Sequence, residues 1–234
     1  MALPFFYTEE ALLSTGNMVL NEETSKHVAQ VLRMQIGASL QLTDGKGRLM
    51  TATIIDNNKK KCLVQPAGEI IETKQPVQNI IAISLVKNAH RFEWFLEKAT
   101  EIGIAKIIPL LCTRTEKQHF RFDRMQGILV SAMLQSQQCW LPALEEPLRF
   151  NEFIKRDIKE QKFIAHCEED ERNPLRFHLK KDTGSLVCIG PEGDFTVDEI
   201  YNATSTGFLP VSLGDTRLRT ETAGIVAATL LMIQ

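Results

Sequence analysis

The sequence predicts an α/β protein: a small β-barrel of short strands over residues 1–72, then a parallel sheet covered on both faces by helices over residues 73–234. Three observations point there. Apolar and polar residues alternate between turn signals in the first 72 positions. After the polar, proline-ended segment Glu72-Thr73-Lys74-Gln75-Pro76, continuous apolar runs alternate with helical periods. At 234 residues and 44% hydrophobic content, the chain can bury two modest cores joined by that linker.

In the first domain, Met50, Ala52 and Ile54 share one face of a strand after the turn Asp44-Gly45-Lys46-Gly47, and Asn57-Asn58 separates it from a second run, Cys62 to Gln65. A short helix interrupts the strands, with Val28, Val31 and Leu32 on its inner face and Ser25 as its cap. In the second domain, Ile80 to Val86 is a buried strand. Phe92, Phe95, Leu96, Ala99 and Ile102 then fall at helical spacing, closed by Gly103. Further strands are expected at Ile107 to Leu111, Phe163 to Cys167, Leu186 to Ile189 and Leu209 to Leu213, with a helix near Arg121 to Gln138 and an apolar helix at the C-terminal end.

Charge and cysteine usage exclude several classes. Lys and Arg number 27 against 29 Asp and Glu, and neither domain is basic: 7 against 8 up to residue 72, and 20 against 21 beyond it. A nonspecific duplex binder needs more cation than that, although a local basic patch remains compatible. The cysteines, at 62, 112, 139, 167 and 188, form no CxxC pair and have no histidine at ligand spacing, so no metal is expected. Met1 to Tyr7 lacks the basic and apolar regions of a signal peptide, which with the odd cysteine count reads as a reduced, cytoplasmic chain. The apolar run Ile225 to Ile233 is about half the length a membrane span needs.

Chemistry concentrates near the end of the chain. Leu186 to Ile189 runs into Gly190-Pro191-Glu192-Gly193-Asp194-Phe195, and Thr196 with Glu199 forms a capping box for the next helix. Glycines at 190 and 193 permit positive φ and close approach of a ligand to the backbone. An ordinary strand-to-helix turn fits this segment equally well. Leu209 to Leu213 ends in a second glycine loop, Gly214-Asp215-Thr216-Arg217-Leu218-Arg219, and Thr220 is expected to cap the last helix, so that two arginines stand beside a positive helix end. A pair of solvated arginines is the bland alternative, but it leaves Gly214 and Thr220 to Thr222 unexplained.

Gly190-Pro-Glu-Gly-Asp-Phe, Ser212-Leu-Gly and Arg217-Leu-Arg-Thr-Glu-Thr-Ala-Gly together closely resemble the bacterial family that methylates N3 of a uridine in small-subunit (16S) ribosomal RNA, a branch of the SPOUT, or alpha/beta-knot, methyltransferases. The resemblance extends through Glu97-Lys98-Ala99-Thr100-Glu101-Ile102-Gly103 and, in the first domain, through Phe5-Phe6, His27, Val31-Leu32-Arg33-Met34, Gly37 and Asp44-Gly45. It departs at Gln138, where or beside which family members commonly carry arginine.

The resemblance implies a trefoil-knotted C-terminal domain, a PUA-like RNA-binding barrel before it, and S-adenosyl-L-methionine as cofactor. It also implies ribosomal RNA or the assembled small subunit as partner, and a homodimer formed through residues 135–142 and the last helix. Cofactor contacts are expected from His166, Ile189, Gly190, Glu192, Gly193, Leu213, Gly214, Leu218 and Thr220. RNA contacts are expected from His27, Arg33, Arg91 and Arg217. Uracil N3 must lose a proton to become a nucleophile, and Arg219, permanently charged and fork-shaped, is the candidate to stabilise the charge that develops. Glu221 is expected to act as a base or, since a helix dipole favours its ionised form, as the partner that orients Arg219. Two other classes remain in view. A noncatalytic RNA-binding module would share the barrel, and a nucleotide-dependent oxidoreductase would share the sheet, though no GxGxxG follows any strand.

Overall fold

The computed structural model describes residues 3–10, 12, 15–168 and 173–233, which form two compact units: one of residues 1–75 with 133–141, the other of 76–132 with 142–234. In the first unit, β1 (Phe5–Tyr7), β2 (Met18–Val19), β3 (Ser39–Thr43), β4 (Arg48–Asp56), β5 (Leu63–Pro66) and β6 (Ile71–Glu72) make a curled six-stranded sheet. Its strand order is β1-β3-β4-β5-β2, with β6 on β4, and β1 is not paired with β2 among the described residues. The expected barrel is therefore an open, half-closed one. Along β4, Met50, Ala52 and Ile54 point inward and are fully buried with Leu40, Leu42 and Val64. This is the alternation that a half-buried strand requires.

The short helix differs from expectation. Helix α1 (Glu22–Lys26) is capped by Asn21, whose side chain accepts from the Thr24 N–H at 2.8 Å. Ser25 is instead buried within it, donating to the Leu20 carbonyl and accepting from the Cys62 N–H, both at 2.9 Å. The chain then widens into one π-helical turn, His27–Val31, in which the Leu32 N–H reaches back to the His27 carbonyl. The wider turn rotates Val31 and Leu32 out of line with Val28, leaving Val28 buried and the other two exposed. Residues 133–141 join this unit through the Gly47 N–H to Cys139 and Leu141 N–H to Gly45 backbone bonds, both 2.8 Å, with the Trp140 ring packed close against Gly47.

The second unit contains β7 (Ile80–Ser84), α2 (Ala89–Ile102), β8 (Lys106–Leu111), α3 (Phe122–Gln135, whose end belongs to the first unit), β9 (Ala143–Leu144), β10 (Leu148–Arg149) and α4 (Phe150–Phe153). It continues with β11 (Gln161–Ala165), β12 (Asn173–Pro174), β13 (Ser185–Ile189), α5 (Val197–Ser205), β14 (Leu209–Ser212) and α6 (Thr220–Met232). Every pairing in its sheet is parallel, in the order β10-β8-β7-β13-β11-β14-β12, with β9 on β8. The central strands β7 and β13 are buried along their whole length, which explains why each is apolar but for one buried serine at its end. One face carries α4 and α5 over Phe150, Phe153, Phe195 and Ile200. Helices α2 and α6 pack together, with α6 also on β7 and β13. Gly103 ends α2 in the left-handed region at φ 99°, as its position after Ile102 predicts.

One contact between α2 and α6 has a measurable consequence. A Cβ on Gly224 would stand 2.6 Å from Phe95 Cε2 and 2.9 Å from Ile83 Cδ1, both fully buried side chains. Helix propensity alone favours Gly→Ala by ~1 kcal/mol, but overpacking costs ~1–3 kcal/mol, and neither neighbour has room to retreat. Gly224→Ala is therefore expected to lower the urea midpoint. A raised midpoint would mean that the α2–α6 contact is looser than the structure has it.

Candidate active site

In a parallel sheet all carboxyl ends lie along one edge, and β13, β11 and β14 are neighbours, so the loops that follow them converge there. Together they enclose a cavity of about 330 Å³, within the range typical of small-molecule sites. The β11 loop contributes Ala165, His166 and Cys167, the β13 loop Ile189 to Glu192 and Asp194, and the β14 loop Val211 to Gly214 and Thr216 to Thr220, with Ala223 from α6. Apolar groups (Ala165, Ile189, Val211, Leu213, Leu218, Ala223) thus face the same space as two carboxylates and two arginines. That donor set suits a ligand with an aromatic base, hydroxyls and charges of both signs.

Of the residues expected at the cofactor, His166, Ile189, Gly190, Glu192, Leu213, Gly214, Leu218 and Thr220 line this cavity, as do Arg217 and Arg219. Gly193 does not. Its missing side chain faces Arg114, with a built Cβ 3.2 Å from Cδ, and its carbonyl accepts from Arg114 Nη1 at 2.6 Å. Neither Gly190 nor Gly193 has positive φ; among the loop glycines only Gly214 does, at 136°. Gly190 is required for a different reason, because a Cβ there would lie 3.1 Å from the Phe195 backbone nitrogen and ring.

The capping box at Thr196 and Glu199 is present. Glu199 is buried and accepts from the Thr113 N–H at 2.8 Å as well as from the Thr196 N–H at 2.9 Å, so it ties the start of α5 to the end of β8. At the last helix the cap is Arg219, not Thr220: the chain turns helical one residue earlier, and no side chain caps it. Glu221 is accordingly the second helical residue. It is nearly buried, lies outside the cavity lining, and stands 3.7 Å from Arg91 Nε rather than beside Arg219. Its Oε2 is buried and makes no hydrogen bond. Arg91 is thereby held at the start of α2. His27 and Arg33 lie on the first unit, both exposed, His27 edge-on to Phe6 and Arg33 in the left-handed region at φ 51°.

Arg114, and the long-range partners of Glu192 and Asp194, carry no local sequence signal. Arg114 donates to the carbonyls of Gly193 and Phe195, Glu192 accepts from the Lys87 N–H at 2.9 Å, and Asp194 accepts from the Cys167 N–H at 2.6 Å. These partners lie 27 to 105 positions apart. Burial pushes the thiols of Cys112 and Cys188 up, which keeps both protonated and unreactive. Among the described residues, no group of three or more His, Cys, Asp or Glu side chains is gathered as a metal site would need. Nor is any described helix long and apolar enough to cross a membrane.

A family model for an RNA methyltransferase domain matches residues 73–232, and one for an RNA methyltransferase PUA domain matches residues 20–67. The chain is 32% identical to the ribosomal RNA small subunit methyltransferase E of Synechocystis over 212 residues, covering 86% of this chain and 68% of that protein. Among solved structures it resembles the probable rRNA methyltransferase of Porphyromonas gingivalis (TM-score 0.88, 34% identity, 99% of both chains). It is also similar to the ribosomal RNA small subunit methyltransferase E of Neisseria gonorrhoeae bound to S-adenosyl methionine (TM-score 0.87, 27% identity, 99% of this chain and 98% of that one). A methyltransferase domain matched across most of the chain, preceded by its PUA domain, means that this chain belongs to the RNA methyltransferase family that includes ribosomal RNA small subunit methyltransferase E.

Proposed function

We propose that this chain uses S-adenosyl-L-methionine to methylate N3 of a uridine in small-subunit ribosomal RNA. The observation that carries the reading is the cavity at the ends of β13, β11 and β14, where apolar walls, two carboxylates and two arginines face one space. When bound, the cofactor supplies a methyl group activated on a sulfonium. Ala165, Ile189, Leu213, Leu218 and Ala223 suit its adenine, while the Glu192 carboxylate suits its hydroxyls or cationic group. His166, Gly190, Gly214 and Thr220 complete the pocket, with Gly193 acting from behind the loop through Arg114.

Methyl transfer is an in-line displacement, so most of the protein's work is alignment. Arg219 stabilises the negative charge that develops on the uracil as its N3 proton passes to water, while N3 takes the methyl group and the bond from that methyl to the sulfonium breaks to leave a neutral thioether. Glu221 holds Arg91 instead of Arg219, so Arg91 joins Arg217, and Arg33 and His27 on the first unit, as RNA-positioning groups. The resemblance further supports a trefoil knot formed by the last segment, a homodimer, and a cytoplasmic enzyme acting on ribosomal RNA or the small subunit.

A noncatalytic RNA-binding module is the competing reading. Calorimetric titration with S-adenosylmethionine separates the two: saturable heat is expected, and a flat titration at protein concentrations well above a micromolar Kd would favour the module.

A further inference from the structure

We propose that Asp194 is a positioning residue that ties two walls of the cofactor cavity together and so sets affinity for S-adenosylmethionine; this rests on the cofactor assignment above. Asp194 is held at φ 63°, a left-handed conformation that L-residues adopt at a cost. Something must offset that cost. Its carboxylate accepts two backbone N–H groups, with Oδ2 taking Cys167 at 2.6 Å and Oδ1 taking Phe195 at 2.8 Å.

The bond to Phe195 is local and braces the turn. The bond to Cys167 spans 27 positions and joins the loop after β13 to the loop after β11. Both loops line the cavity. Because the acceptor is ionised, each bond is stronger than a neutral one. Glu192 on the Lys87 N–H and Arg114 on the Gly193 and Phe195 carbonyls tie the same loop to the ends of β7 and β8, while Asp194 bridges it toward β11. With that bridge made before the ligand arrives, less ordering is left for binding to bring about.

The test uses the full chain with Asp194→Gly and Asp194→Asn. Glycine accepts the left-handed backbone freely, so Asp194→Gly keeps the turn while deleting both acceptors. Asparagine keeps one acceptor oxygen and turns an NH2 toward the other amide. For Asp194→Gly, the expected result is faster hydrogen exchange of the Cys167 amide in the ligand-free protein and a KM for S-adenosylmethionine raised about tenfold. The rate at saturating cofactor should stay within about twofold and Tm within a few degrees, with Asp194→Asn falling between. An unchanged KM or unchanged Cys167 exchange would overturn the proposal. So would a KM that rises only in step with a fall in Tm in both variants, since that marks a purely structural brace. Wild-type protein that bound no S-adenosylmethionine would instead defeat the cofactor assignment, while the Cys167 exchange would still report the bridge.

Discussion

Arg219→Ala is expected to lower the single-turnover rate of methyl transfer at saturating RNA by about 100-fold or more. Arg219 faces the cavity from the cap position of α6, where the free N–H groups of the first turn add positive potential to its own charge. In the proposed reaction, charge on the uracil appears only as the N3 proton leaves and the methyl transfers, so a group that answers it acts on the transition state more than on the bound RNA. Arg219→Lys should recover little, because a single ammonium cannot reproduce the planar fork of donors. Arg33→Ala is the contrasting case: weaker RNA binding and a salt dependence shallower by about one unit of slope, with the saturated rate nearly unchanged. If Arg219→Ala keeps its saturated rate and only binds RNA less well, Arg219 belongs with the RNA-positioning arginines.

Gly190→Ala is expected to cost cofactor affinity by about tenfold or more while the protein stays folded. The new Cβ would stand 3.1 Å from the Phe195 backbone nitrogen and the same from its ring. Phe195 is fully buried and packed against Phe150, with ring centroids 4.8 Å apart and planes tilted by 38°, and Ile189 is held on both sides by β7 and β11. Neither flank can yield, so the displacement falls on residues 191–194, which carry Glu192 and Asp194 into the cavity. Overpacking of this kind costs ~1–3 kcal/mol. Gly193→Ala meets only the flexible arm of Arg114 at 3.2 Å and should bind nearly as wild type. Calorimetry on both variants checks the contrast, and equal affinities would mean that Phe195 does not fix the loop.

Much of this was legible in the chain. The unbroken apolar runs at Ile80 and Leu186 mark central strands because only strands covered on both faces tolerate them. The Thr196–Glu199 capping box and Gly103 mark helix ends because their chemistry is local. The two-residue strands at Ala143, Leu148 and Asn173 were not legible, since they exist only through pairing with distant partners. The same holds for the attachment of residues 133–141 to the first unit and for the sheet order itself. The π-helical turn at His27 misled because a 3.6-residue period assumes the α-helical spacing that it breaks.

At the site, the two glycine loops were visible as residue types, and both line the cavity with most of the positions expected there. The roles of individual glycines were not visible. Gly190 is needed for its approach to Phe195, whereas Gly193 faces only the flexible arm of Arg114, and each contact is set by packing rather than by φ. The helix-dipole argument makes Glu221 either a base or the partner of Arg219, but it carries no information on neighbouring helices, and α2 packs on α6 and brings Arg91 to Glu221 instead.

The most direct measurement is incubation of unmodified small-subunit ribosomal RNA, free and assembled, with this protein and S-adenosylmethionine carrying a labelled methyl group, followed by mass spectrometry of the nucleosides. Label in 3-methyluridine at one position, lost with Arg219→Ala, is the result expected here. Label confined to another nucleoside or to a ribose oxygen, or absent from RNA although the cofactor binds, would contradict it.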